Sequence, residues 1–229
     1  MSRFMLALSL VASLTTSAFA DRADRSVEAP RAAPIAHHQF SHAPAAARPD
    51  GDAAQHLDRA ALRTKLAANR AANLARFRSY QRKGVFPNNT YDARKLNVWL
   101  DDAGHLCAAA TVMKLSGWDA QVARIAEQDN FIRLADVSDG PVLDWILTSG
   151  LTHDEIAAIQ EPMMRVVRDT TPTLVDRRLR RAEDRRLTAK YKQVDRAIVR
   201  QARASLDAAV ERLLQHPELA AQLLAPTAT

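Results

Sequence analysis

From Leu57 onward, apolar side chains return at three- and four-residue intervals through most of the chain, and that spacing limits the fold more than any other feature. Leu62, Leu66, Leu74 and Phe77 fall on one side of a helix, with Asn69 and Asn73 on the same stripe, and Gly84 stands where a left-handed residue would end it. A second such stripe, Leu187, Tyr191, Val194, Ile198, Ala202, Ala209 and Leu213, predicts one long basic helix running from beyond Pro172 to about Leu214. His216-Pro217 breaks it and leaves a short final helix through Leu224. The fold class expected is therefore mainly α, a helical domain over 56–224 followed by a disordered tail at 225–229.

Start signals divide the middle into shorter helices. Asp119 opens one. Ser138 or Asp139 caps another that begins at Pro141, whose fixed φ suits a first turn, and Gly150 closes it. Thr152 and Glu155 form a capping box, each satisfying a backbone N–H that the helix leaves free. Between Gly84 and Ser116 two readings stand. Leu96 to Asp101 alternates like a short half-buried strand, and Leu106 to Leu115 reads as a helix capped by Asp101 or Asp102. The alternative makes 106–115 the second arm of a hairpin that turns at Gly104.

The amino terminus carries a different signal. Arg3, the apolar run from Phe4 to Leu14 and Ala18-Phe19-Ala20 have the order of a signal peptide with its cleavage site, and the run is shorter than the roughly 20 residues a span requires. Export to the periplasm or the extracellular space is the expectation, with no transmembrane segment after cleavage. Residues 21–55 hold Pro30, Pro34, Pro44 and Pro49 at spacings that interrupt regular structure, so they read as a disordered linker. His37, His38 and His42 in it are a polar tail before they are metal ligands, and no metal or cofactor is expected. At 229 residues and 47% hydrophobic, the chain can bury a core without a cofactor's help. One cysteine rules out an internal disulfide, and six glycines leave little room for a phosphate-cradling loop.

Charge is laid down in blocks. Residues 57–83 carry 8 basic side chains against one acidic, 85–162 carry 5 against 12, and 177–203 carry 11 against 3. The basic blocks can pack on the acidic middle with their stems covering apolar surface. They can equally meet an anionic partner, and the candidate contacts are Arg177, Arg178, Arg180, Arg181, Arg185 and Arg186. An anionic envelope polymer or another protein suits them. Nucleic acid does not, because aromatic residues are 5% of the chain and only Tyr191 interrupts the second basic block.

The one candidate for covalent chemistry is Cys107, with His105 beside it and Asp101 or Asp102 upstream. A thiol hydrolase or transferase needs an imidazole on the sulfur. In a helix, positions 105 and 107 do not share a face; in a strand they do. Leu106, Ala108, Ala109 and Ala110 around the cysteine favour a buried, inert thiol. Asp136, Asp139, Asp144, Asp154 and Glu155 read as caps and solvated side chains, and Trp99, Trp118, Trp145 and Phe131 as core. The expectation is a non-enzymatic binding or structural protein of the cell envelope, with the Cys107 enzyme as the alternative.

The stretches Asn97-Val98-Trp99-Leu100-Asp101-Asp102-Ala103-Gly104-His105-Leu106-Cys107-Ala108, Asn130 to Val137 and Gly140 to Gly150 resemble uncharacterised secreted proteins of myxobacteria-like bacteria. The resemblance covers under a third of the chain. It implies export and a bacterial origin and assigns no activity; the Ala- and Arg-rich usage, 26 Arg to 6 Lys, has the same bacterial flavour.

Overall fold

Asp58 starts the first helix by accepting hydrogen bonds from the Ala60 and Ala61 amides, and Gly84 ends it at φ 61°, so α1 (Arg59–Lys83) spans the interval its stripe predicts. The computed structural model describes residues 57–168 and 174–226. The expected leader, the linker with His37, His38 and His42, and positions 227–229 of the tail lie outside the described residues. After α1 come α2 (Ala108–Leu115), α3 (Asp119–Gln128), a 3-10 turn at Leu134–Asp136, α4 (Gly140–Thr148), α5 (His153–Ile159), α6 (Arg177–Arg200), α7 (Ala202–Leu214) and α8 (Pro217–Leu224). The fold is mainly α: among the described residues there are eight α-helices and only isolated β-bridges. None of these helices is long and apolar enough to cross a membrane.

Helix α1 joins the two parts of the core. Its carboxyl half buries Leu74, Phe77 and Tyr80 among Phe86, Trp99, Met113, Trp145 and Tyr191. Its amino half buries Leu62 and Leu66 against Leu143 and Leu147 of α4 and Val210 and Leu213 of α7. Each such side chain contributes about 1.5–3 kcal/mol by leaving water. Phe77 and Tyr191 meet edge to face with centroids 5.6 Å apart, the arrangement the ring quadrupoles favour. Phe131, expected in this core, is instead exposed and stacks its edge on Tyr91.

Two expectations need correction. No strand forms over 96–101. Val98 and Trp99 are both fully buried, so the in-out alternation is lost, and the Trp99 and Leu100 amides bond the carbonyl and side chain of Asn130 rather than a ladder. The chain turns at Gly104, with Leu100 bridging Leu106, and the helix starts only at Ala108. Both open readings thus hold a part of the answer. Its N-cap is Cys107, whose sulfur accepts from the Ala110 amide at 3.4 Å, while Asp101 pins the turn before it.

The expected long helix is two. It breaks at Gln201, between α6 and α7. The Arg70 guanidinium donates at 2.9 Å to the carbonyl of Ile198, the group that residue 202 would bond in a continuous helix. A side chain inserted into the hydrogen-bond ladder is a sufficient cause for such a break.

Candidate functional site

The loop from Gly84 to Cys107 is held by two buried polar side chains. Asn89 donates to the Arg94 and Met163 carbonyls and accepts from the Tyr91 and Asp92 amides. Asp101 accepts from the Asn88 amide and side chain and from the Ala103 and His105 amides. These carboxylate and amide groups satisfy backbone that no neighbouring strand serves.

That loop fixes His105 away from the thiol. Its Nδ1 lies 3.2 Å from Asp101 Oδ2, and the His153 ring contacts the Leu134 carbonyl. Cys107 is 1% exposed, and burial pushes its thiol up to about 12. A sulfur so placed holds almost no thiolate at neutral pH. The acidic candidates also disperse. Asp136 pairs with Arg133, and Asp139 occupies the N-cap position of α4 without a side-chain cap bond. Burial raises the Asp144 carboxyl above its ordinary range. Glu155 completes its capping box with Thr152 and also receives the Arg70 guanidinium. Among the described residues no group of three or more His, Cys, Asp or Glu side chains converges as a metal site would require. A groove of about 760 Å³ runs between α5, α6 and α7, with Ala158, Ala197, Ala204 and Ala208 along its walls.

The six arginines of the second basic block separate into two sets. Arg180 turns inward to Asp184, the Asn88 side chain and the Phe86 carbonyl. Arg186 bonds Glu183, Glu161 and the Pro162 carbonyl, and the Glu183 hydrogen bond above all raises its pKa. These two hold the loop and the 161–164 segment to α6. Arg177, Arg178, Arg181 and Arg185 are exposed.

Helix register extends the exposed set along α6. Glu183, Leu187, Tyr191, Val194 and Ile198 form the buried face. At 3.6 residues per turn, Arg178, Arg181, Arg185, Lys192, Arg196 and Arg200 fall on the opposite face, along about 33 Å of axis. All six are exposed, and among the described residues no carboxylate lies within ion-pair distance of any of them. The acids of α6 are engaged elsewhere: Asp184 with Arg180, Glu183 with Arg186, and Asp195 with Arg78 of α1. Lys192, Arg196 and Arg200 were not among the sequence candidates, although their spacing opposite the apolar stripe marks them.

The remaining basic residues show how far internal pairing goes. Arg59 pairs with Glu211, Arg63 with Asp207 and Arg78 with Asp195, so α1 meets the acids of α6 and α7 more than those of the acidic middle. The middle contributes Glu155, to Arg70, and Glu161, which meets Arg186, Lys190 and Lys95. Comparison with protein families, curated proteins and solved structures finds no match to this chain.

Proposed function

We propose that this is an exported, non-enzymatic binding protein of the cell envelope that docks on an anionic surface through the outward face of α6. The row of six exposed cations, without carboxylate partners among the described residues, carries the reading. Like charges along one helix face repel one another, and a surface of opposite sign removes that cost while adding attraction at each residue. The apolar face of α6 stays locked in the core, so the row is presented on a rigid support. Export rests on the order of residues 3–20. No observation favours an activity at Cys107, whose sulfur is enclosed and, among the described residues, bonds no imidazole.

Retention of the mature protein on immobilised dextran sulfate across a salt series tests the charge component. Salt-sensitive retention that weakens when Arg178, Arg185 and Arg196 become glutamine is the expected result. Absent or salt-insensitive retention overturns it.

A further inference from the structure

We infer that the partner of this face is one strand of a linear acidic polysaccharide, laid along α6 and long enough to engage both ends of the basic row. The inference rests on the row being an anion-binding face and adds which anion it fits. The width, the length and the interruption of the row carry it. With the buried face of α6 centred on Leu187, the six cations lie within a sector of about 100°, so the row is one side chain wide. Along the axis they form two triads. Arg178, Arg181 and Arg185 cover about 10 Å, and Lys192, Arg196 and Arg200 cover about 12 Å. About 10 Å separates the triads, and there the crest position is Ala189.

A row so narrow matches a strand better than a sheet. A bilayer supplies hydrocarbon as well as charge, and the crest offers it only Ala182, Ala189 and one larger apolar side chain, Val199. A nucleic acid strand supplies bases to stack, and Tyr191, the one aromatic residue of α6, is fully buried. A small multivalent anion reaches one triad and leaves the charges of the other uncompensated. Thr188 and Gln193 stand on either side of the crest near the interruption, and both can bond neutral hydroxyl groups. Charges separated by neutral, hydroxyl-bearing units are what an acidic polysaccharide presents. The unbroken helix, its apolar face held in the core, keeps the two triads at a fixed separation. Once one triad holds the strand, the second meets it intramolecularly, so affinity rises with chain length until the strand covers about 33 Å and then levels off.

Titration with heparin tetrasaccharide, too short to cover both triads, and heparin dodecasaccharide, longer than the row, tests this beside dextran sulfate retention. The dodecasaccharide is expected to bind about a hundredfold tighter. The variants Arg178→Gln/Arg181→Gln/Arg185→Gln and Lys192→Gln/Arg196→Gln/Arg200→Gln, altered only at exposed positions, are expected to melt like the parent and to lose most of that gain. Each keeps one triad, so each is expected to bind the tetrasaccharide within about twofold of the parent. Thr188→Val/Gln193→Leu is expected to weaken dodecasaccharide binding about fivefold and to leave linear polyphosphate of matched length unaffected. A dodecasaccharide gain of about threefold or less, the statistical advantage of three tetrasaccharide units, overturns the inference. An equal effect of Thr188→Val/Gln193→Leu on both polymers overturns it too, as does binding to phosphatidylglycerol vesicles without the length-dependent gain. Salt-sensitive dextran sulfate retention in any of these cases leaves the proposed function standing. Absent or salt-insensitive retention overturns both.

Discussion

Arg70 and Glu155 face each other through two 2.7 Å hydrogen bonds in the interior, with 6% and 7% of their side chains exposed. The guanidinium also donates to the Gly150 and Ile198 carbonyls, and Glu155 accepts from the Thr152 amide. One ion pair thus ties α1 to α5 and to the end of α6. Removing one partner strands the other charge. Arg70→Met is expected to cost about 3–5 kcal/mol in urea unfolding, and the double variant Arg70→Met/Glu155→Leu to recover much of that. A loss below about 1 kcal/mol for the single variant would contradict this role.

Gly150 lets α1 approach the α4–α5 turn. It holds φ 76°, and a Cβ there would lie 2.0 Å from the Leu66 carbonyl oxygen and 2.7 Å from the Arg70 amide nitrogen. Gly84 has φ 61° and open space around the same position. Gly84→Ala is therefore expected to cost only the left-handed backbone term, about 1–2 kcal/mol. Gly150→Ala adds a backbone collision and is expected to cost at least about 3 kcal/mol. Matched denaturant melts of the two variants check the difference.

The Cys107 thiol is expected to resist alkylation at pH 7 to 8 while the chain is folded and to react fully in denaturant. Rapid labelling of the native protein would contradict its burial.

Burial also sets an alkaline limit. It lifts the Cys107 thiol from an ordinary value of 9.0 to about 12, and it raises the Tyr80 and Tyr191 hydroxyls above 10.0. Above pH 9 the unfolded chain releases protons that the folded chain still holds. Stability is therefore whole below about pH 9 and falls as pH rises toward 12, by roughly 1.4 kcal/mol per pH unit for each such group. Urea midpoints measured from pH 8 to 11 are expected to drop, starting at a higher pH in Cys107→Ala. Flat midpoints over that range would contradict the burial of these groups.

Local signals were legible where local chemistry decides structure. Gly84 as a left-handed cap, the Thr152–Glu155 capping box and the break at His216-Pro217 each depend on neighbours within a turn. The division of α6 from α7 was not, because Arg70, whose guanidinium takes the Ile198 carbonyl at the break, lies 128 residues from it. Arg70 nevertheless sits on the apolar stripe between Leu66 and Leu74, where an arginine signals a buried partner. The loop before α2 defeated both strand and cap readings because side chains of Asn89, Asp101 and Asn130 replace a ladder. The same limit applies to the arginines. Arg180 and Arg186 look like their neighbours in sequence, and only the fold turns them inward.

On the proposed function, polymer binding draws on the outward charges of α6, and the salt response counts them. The most direct test is the slope of log affinity against log salt for dextran sulfate, measured on the parent and on Arg178→Gln, Arg185→Gln and Arg196→Gln, singly and combined. A finite slope that becomes shallower with each neutralised arginine, while Arg124→Gln on α3 leaves it unchanged, is the expected result. Equal slopes across the whole series would contradict the assignment of α6 as the binding face.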